Sequence, residues 1–495
     1  MSLAGPALIL ARCLGGRAGE GKDFTAWLID VWPRWSFLLA NSFKVSATAT
    51  VVAVGLAALL AVVLFKTDAV GRTVMIALLL LVALFPLFVT GGAVLGAFRR
   101  DLWLESTLLA GVIHGLAHLP VATLIIGVGL RLVPAEYEEA ALLEGAGALR
   151  TLLRVSLRTA WPAVAGAVLL VLLWTWTDNT ITDVLLVRTF AEEVYTQYAL
   201  RGRPCEPAAV AWPQVLIFGA LLWTARKGLL HGSWAEAAVA GPRLFRLGVW
   251  RWPVSLAGGA FVLALVAAPV LSLSRRIENF GEAAANVRLF APHIAVSAVT
   301  GLGAGLIAAG LAVGLAWQAA RNRGWRVALG LYLAVMLALP APVLAIGLIV
   351  LLNRPGWVGE VYGSPVILVM ACAIRFLPVA VIAVAPAVRA VPIEREMAAR
   401  VDGCGTAGLW WRIIRPACTP AAVGAAFLVV VLSLGELPCA VLVCPPGYEP
   451  VSVRFNSLIH YGLYADSATL CLMSAGAVVV PWLVLLILLR GRLLR

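Results

Sequence analysis

PAEYEEAALLEGAGALRTLLRVSLRTAWPA at residues 134–163 and PIEREMAARVDGCGTAGLWWRIIRPACTPA at residues 392–421 are two polar islands in an otherwise oily chain. Gly145 falls on Gly403, 258 residues further on. The same offset pairs Pro120 with Pro378, Pro134 with Pro392, Glu138 with Glu396, and Ala140-Ala141 with Ala398-Ala399. It also pairs Gly147 with Gly405, Arg154 with Arg412 and Pro162-Ala163 with Pro420-Ala421. Chance does not hold one register over some forty positions with these residue types. The chain is therefore an internal duplication.

Each island reads as a short helix, a turn and a second helix. Pro134 ends the preceding helix, because proline lacks an N–H and clashes with a continuing turn. It also suits the first turn of a new helix, whose positive dipole end favours the glutamates at 136, 138 and 139. Ala140 to Leu143 propagate the helix well. Gly145 and Gly147 then break it, since glycine accepts the left-handed angles of a helix end. Arg150, Arg154 and Arg158, four apart, share one face of the second helix.

The rest of the chain belongs in a bilayer. Of 495 residues, 62% are hydrophobic and 13% charged, with mean hydropathy +0.96. A soluble chain carries about 25% charged residues. Apolar runs long enough to span fall near 43–65, 72–98, 104–131, 161–177, 207–226, 252–273, 293–316, 326–352, 366–390, 418–440 and 468–490. The expected class is an all-α polytopic membrane protein with about eleven (11–12) transmembrane helices. Six of these lie between the two islands. Six is even, so both islands emerge on one face and the repeats are parallel rather than inverted.

Net charge +13 reflects arginine in short loops, since only four of the 38 basic residues are lysine. The basic clusters at 66–72, 150–158, 226–251, 321–326, 389–415 and 490–495 share one side, which the positive-inside bias makes cytoplasmic. Arg99, Arg100, Arg275 and Arg276 go against that bias. Nucleic acid is not the expected partner; the lipid bilayer is. The expected layout is an N-terminal segment 1–40, read as a degenerate first helix or a surface segment, followed by repeats 41–245 and 246–495. Their polar segments are 134–162 and 392–420.

Other features carry less chemistry. GRAGEGKD at 16–23 nearly matches a phosphate loop, but Asp23 stands where a hydroxyl should meet magnesium. The eight cysteines show no C-x2-C pairing, so no metal site or cofactor is expected. His114 and His118 share a helix face but lack a third ligand on that span, which favours hydrogen bonding between helices. Asp178 and Glu436 fall on equivalent positions near the external ends of their spans. With Arg375 they are the candidates for a translocation path or gate, weighed against loop capping and a helix-packing salt bridge.

Glu139-Ala140-Ala141, three residues, Gly145, nine residues, then Val155-x-Leu157 resembles the E-A-A-x3-G-x9-I-x-L-P motif of permeases of binding-protein-dependent ABC importers. The second copy keeps Glu396, Ala398, Ala399, Gly403 and Ile413, and departs at Met397 and Arg415; the first departs at Arg158. The resemblance implies two MetI-like permease domains fused in one chain of a bacterial inner membrane. Glu138, Glu139, Ala140, Ala141, Gly145, Glu396, Ala398, Ala399 and Gly403 would then couple to two cytosolic ABC ATPase subunits. An external solute-binding protein would deliver the solute. The chain would be a transport subunit without its own ATPase site. RTFAEEVYTQ (188–197) and GELPCAVLVCPPG (435–447) resemble iron-type permeases, which implies ferric iron, with thiamine next. The competing class is a secondary transporter driven by an ion gradient, which needs ionisable groups deep in several spans.

Overall fold

The computed structural model describes residues 24–97, 106–201, 214–222, 245–277 and 279–493. The near-phosphate loop at 16–23, Arg99 and Arg100 lie outside them, as do Cys13, Cys205 and most of the 207–226 span. Among the described residues the structure is helical, with one isolated bridge between Thr67 and Phe245.

In the first half, α1 (Phe24–Lys66), α2 (Arg72–Ala83), α3 (Leu87–Ala97) and α4 (Thr107–Arg131) precede the polar island. The island forms α5 (Ala135–Leu143) and α6 (Ala148–Thr159), and α7 (Trp161–Thr177), α8 (Thr180–Val184) and α9 (Phe190–Arg201) come after it. The second half opens with α10 (Arg251–Ser274) and repeats the plan. There, α11 (Phe280–Arg321), α12 (Arg323–Ala338), α13 (Ala341–Leu352) and α14 (Val366–Arg389) lead to α15 (Ile393–Val401) and α16 (Thr406–Leu434). Then come α17 (Val451–His460) and α18 (Tyr464–Leu493).

Among the described residues, seven helices are long and apolar enough to cross a membrane, and up to ten spans result if each bent pair counts once. The stretches read as single spans at 72–98 and 326–352 are such pairs, bent by 87° between α2 and α3 and by 105° between α12 and α13. Pro86 and Pro340 stand at the breaks, where proline removes a ladder donor. The expected 161–177 span also starts at a bend, 65° from α6. Of the 207–226 span, residues 214–222 are helical.

The chain forms two compact units, and each takes a piece of both sequence halves. Taken over the described residues, one comprises Leu28–Glu192 with Ala225–Arg288 and Leu458–Arg495; the other is Leu289–Ser457 with Glu193–Thr224 and Met1–Trp27. In the first unit, Ala49, Ala53, Ala57 and Ala61 of α1 pack against Leu119, Ala122, Ile126 and Leu130 of α4, with Ala167 and Val171 of α7. In the second, Ala304, Ala308, Ala312 and Ala316 of α11 meet Leu377, Ala380, Val384 and Val388 of α14, with Ala425 and Val429 of α16. Alanine stripes at helical spacing let helices approach closely where dispersion, not water exclusion, drives association.

The two units solve one contact in opposite ways. In the first, a side chain on Gly111 of α4 would collide with Thr48 Cβ of α1 at 2.6 Å. In the second, the glycine is on the other helix: a Cβ on Gly303 of α11 would meet Val369 of α14 at 3.0 Å. Large and small have changed places across the same crossing, so its volume is kept.

Candidate functional site

The two islands fold into elbows that agree hydrogen bond by hydrogen bond. α5 ends in a Schellman motif: Ala146 N–H donates to Ala141 O at 3.0 Å and Gly145 N–H to Leu142 O at 3.0 Å. Gly145 has φ +83°, in the left-handed region. In the second elbow Cys404 N–H donates to Ala399 O at 2.9 Å, Gly403 N–H to Arg400 O at 3.0 Å, and Gly403 has φ +79°. Nothing lies within 4 Å of a Cβ built on either glycine, so backbone angle alone demands the residue.

The helix after each turn departs from the regular α-helix expected to carry Arg150, Arg154 and Arg158. Residues Leu152–Ser156 form one π-helical turn, and Trp410–Ile414 form another at the equivalent place. Such single turns insert an extra residue and rotate the downstream side chains around the helix axis. Ser156, the last residue of the first π turn, then lies buried and hydrogen-bonded to Glu138.

Each elbow is tied to the end of the long helix of its repeat. Lys66, the last residue of α1, places Nζ 2.6 Å from Glu138 Oε1, and both side chains are fully buried. Ser156 Oγ donates to the same oxygen at 2.6 Å. Arg321, the last residue of α11, sets one guanidinium nitrogen 2.6 Å and Nε 2.9 Å from Glu396 Oε1. The guanidinium also donates to Val391 O at 2.8 Å, and Trp317 Nε1 donates to Glu396 Oε2 at 3.3 Å. Sequence pattern pairs Glu138 with Glu396, but not Lys66 with Arg321, because three residues are gained between the long helices and the elbows. The cations lie 255 residues apart, as do Gly55 and Gly310 in the matching stretches AVGLAALLAV and AAGLAVGLAW.

The remaining candidate elbow residues point the other way. Glu139, Ala140, Gly145, Ala398 and Gly403 are exposed, and Ala141 and Ala399 are half-buried. Leu143 is 89% exposed and its equivalent Val401 87%, although both are aliphatic. Glu138 and Glu396 therefore fix the elbow from inside, while the alanine-rich helix ends present a small apolar tip outward.

The candidate path residues assemble differently in the two units. Arg375 Nε of α14 lies 2.7 Å from Glu436 Oε2, and Glu436 Oε1 accepts from Cys439 N–H at 2.9 Å. Glu436 thus both pairs across helices and caps a turn. Asp178 at the end of α7 caps a turn as well, accepting from Thr180 N–H at 3.0 Å and Thr180 Oγ1 at 2.8 Å. His114 of α4 faces it, Nε2 to Oδ2 at 4.0 Å. His114 and His118 stack with centroids 5.9 Å apart, instead of bridging helices by hydrogen bonds as their spacing suggested. No cluster of three or more metal-ligating side chains occurs among the described residues.

A further pair lies beyond α7 in the first unit, where the sequence offered no cue. Asp183 Oδ2 of α8 sits 3.2 Å from His460 Nε2 of α17, joining residues from both sequence halves. Burial raises the Asp183 pKa above the usual carboxylate value, against the lowering effect of His460. Burial beside Glu449 likewise raises the Cys444 thiol to about 11.

The family model described as the inner membrane component of binding-protein-dependent transport systems matches the chain twice, at residues 53–225 and 301–491. The chain is also similar to a protein of Streptomyces antibioticus described as a putative ABC transporter permease protein. The two are 32% identical over 124 residues, 23% of this chain, and the match spans about half (54%) of that relative. Each family match contains one elbow with its buried glutamate and its glycine turn. The chain belongs to the family of inner membrane components of binding-protein-dependent transport systems, and carries that component in duplicate.

Proposed function

We propose that the chain is a translocation subunit of an ATP-driven importer, its two elbows docking on two cytosolic ABC ATPase subunits. The observation that carries this reading is the duplicated elbow, held by a buried ion pair and tipped with exposed aliphatic residues. A surface loop gains nothing from 89% exposure of Leu143, whereas a knob seated in a partner's cleft buries it. ATPases that close on ATP as a dimer need two such knobs, and this chain supplies both.

The tethers give the elbows their mechanical role. A push on α5 acts through Glu138 on Lys66 and hence on the end of α1; a push on α15 acts through Glu396 on Arg321 and α11. A buried charge pair suits this role, because separating it costs several kcal/mol and the elbow cannot slip relative to the helix. Movement of the long helices then produces alternating access. Arg375–Glu436 and Asp178–His114, both polar contacts at the ends of helices or between them, are our candidates to line or gate the path.

The solute is proposed to be ferric iron, delivered by an external binding protein to a bacterial inner membrane, with thiamine as the next reading. Its support is the resemblance of 188–197 and 435–447 to iron-type permeases. Reconstituted chain with its co-purifying ATPase is expected to take up radiolabelled iron from a ferric-loaded binding protein. Uptake should need ATP and be blocked by vanadate. Uptake driven by an ion gradient without ATP would overturn the reading, and ATP-dependent uptake of thiamine alone would overturn the iron assignment.

A further inference from the structure

We propose that residues 2–11 form a short helix that covers an open face of α11 and α12 in the second unit and shields the second tether. These residues lie outside those the structure describes; what points to their place is a copy of them elsewhere in the chain. Ser2-Leu3-Ala4-Gly5, Ala7, Leu10 and Ala11 recur as Ser255-Leu256-Ala257-Gly258, Ala260, Leu263 and Ala264 of α10, 253 residues further on. Seven of ten positions are identical, and Leu8 and Ile9 face Phe261 and Val262 as apolar matches. The likeness stops at Arg12, which stands where α10 has Leu265. α10 precedes the long helix of the second repeat, and residues 2–11 hold the same place before α1 in the first.

In the first unit α10 lies on α2 and α3 and reaches the last turns of α1. A Cβ on Gly258 would sit 3.8 Å from both Val63 Cγ1 and Met75 Sδ, and one on Gly259 would sit 3.3 Å from Met75 Cε. Val262 is buried in the same core. Ser255, Gly258, Gly259 and Val262 thus form the packing face at helical spacing, while Leu256 and Leu263 are exposed. Small residues on that face let the backbones approach closely. Their counterparts are Ser2, Gly5, Pro6 and Ile9.

The matching face of the second unit is open among the described residues. The offset of 255 puts Gln318 of α11 at Val63, and that of 254, which pairs Pro86 with Pro340, puts Leu329 of α12 at Met75. Val63 is half-buried beside α10, whereas Gln318 is exposed. Val327 and Leu331 are 50% and 46% exposed, where Thr73 and Ala77 are half-buried. A groove lined by Leu311, Gly314, Gln318 and Trp325 lies next to them. Trp317 and Trp410 also line it, with ring centroids 6.0 Å apart. Trp317 donates to Glu396, and Trp410 opens the second π turn, so an occupant of the groove lies against the second tether. Lipid fills apolar grooves without regard to sequence, whereas residues 2–11 repeat the helix that covers this very face in the first unit. One bond is not repeated. Val70 N–H donates to Ser255 Oγ at 2.8 Å, but Gly324 N–H at the equivalent place donates to Asn322 Oδ1 at 2.8 Å. Gly5 and Ile9, not Ser2, therefore carry the packing.

The test uses full-length chain in membranes, freed of its native cysteines. Gly5→Cys with Gln318→Cys is expected to be joined by a short thiol cross-linker, as the reference pair Gly258→Cys with Val63→Cys should be. Ile9→Asn, on the packing face, should abolish the first cross-link; Leu10→Asn, the same polarity change on the outward face, should keep it. A bimane label at position 318 should be quenched weakly by phospholipids brominated in their acyl chains, and strongly once Ile9→Asn is present. Hydrogen exchange in Ile393–Val401 should quicken with Ile9→Asn while that in Ala135–Leu143 stays unchanged. Absence of the 5–318 cross-link while the reference pair forms overturns the proposal, as does equal loss with Ile9→Asn and Leu10→Asn. Strong quenching at position 318 without Ile9→Asn overturns it too, and gives the face to lipid. Unchanged exchange in Ile393–Val401 overturns the shielding of the second tether. None of these readouts involves an ATPase, so this inference and the docking role fail separately.

Discussion

Glu138→Ala isolates the tether from the surface it supports. In the parent, Lys66 and Glu138 are both fully buried, 2.6 Å apart, and Ser156 donates to the same carboxylate oxygen. Removing the carboxylate leaves an ammonium without its counter-charge where water does not reach. Loss of one partner of a buried pair costs about 3–5 kcal/mol. Glu396→Ala should cost less, about 1–3 kcal/mol, because Arg321 is 23% exposed and keeps its bond to Val391 O. At about 2–4 °C per kcal/mol for a unit of this size, thermal unfolding of the purified chain should drop by about 10 °C for Glu138→Ala. For Glu396→Ala the drop should be less than half of that. Removing the stranded charge as well, in Lys66→Met with Glu138→Leu, should restore most of the stability but not the stimulation of the ATPase. The reasoning is refuted if Glu138→Ala unfolds no earlier than the exposed Glu136→Ala, or if the double variant is as unstable as the sum of its singles.

Local geometry sets three further outcomes. Gly111→Val should destabilise by about 1–3 kcal/mol through overpacking against Thr48 and against Val45 O at 2.9 Å, and Thr48→Gly in the same chain should recover part of it by copying the Gly303–Val369 arrangement; unfolding midpoints of the four forms decide this. Gly145→Ala and Gly403→Ala should each cost about 1–2 kcal/mol, nearly equally, since both turns need positive φ and neither Cβ meets a neighbour; a large inequality would contradict the equivalence of the elbows. Asp183→Asn should match or exceed the parent in stability at pH 7, because the raised Asp183 pKa means that its ionised form is disfavoured in the fold. That advantage should begin to shrink as pH falls through the raised value, where folded Asp183 takes up its proton, and should vanish towards the ordinary carboxylate value; a thermal melt series from pH 7 to about pH 4 reads it.

Much of this was legible in the chain because the repeat writes each feature twice. The elbows, their glycine turns and ten of the eleven expected spans, three of them bent pairs, can be read from apolar length, proline and glycine placement and one constant offset. The tethers were not legible: Lys66 and Arg321 look like positive-inside loop charges, and nothing in their spacing tells a cation facing lipid headgroups from one facing Glu138. The π turns were hidden for a related reason, since Leu152–Ser156 and Trp410–Ile414 carry ordinary helix formers and the extra residue per turn is decided by packing. The bends at Pro86 and Pro340 were marked by proline but masked by continuous hydrophobicity on both sides. The exchange of segments between the units, which brings His460 to Asp183, is a long-range property that no local pattern records.

The central claim is that matched elbows, one in each repeat, meet a separate ATPase from the same side of the membrane. In a chain freed of its other cysteines, Ala146→Cys and the native Cys404 place thiols next to Gly145 and Gly403 at equivalent points of the two turns. Thiol cross-linking in membrane vesicles should join both positions to the ATPase subunit, with both protected from impermeant reagents added outside intact cells. Labelling of the two positions from opposite sides, or a cross-link at neither, would contradict the account.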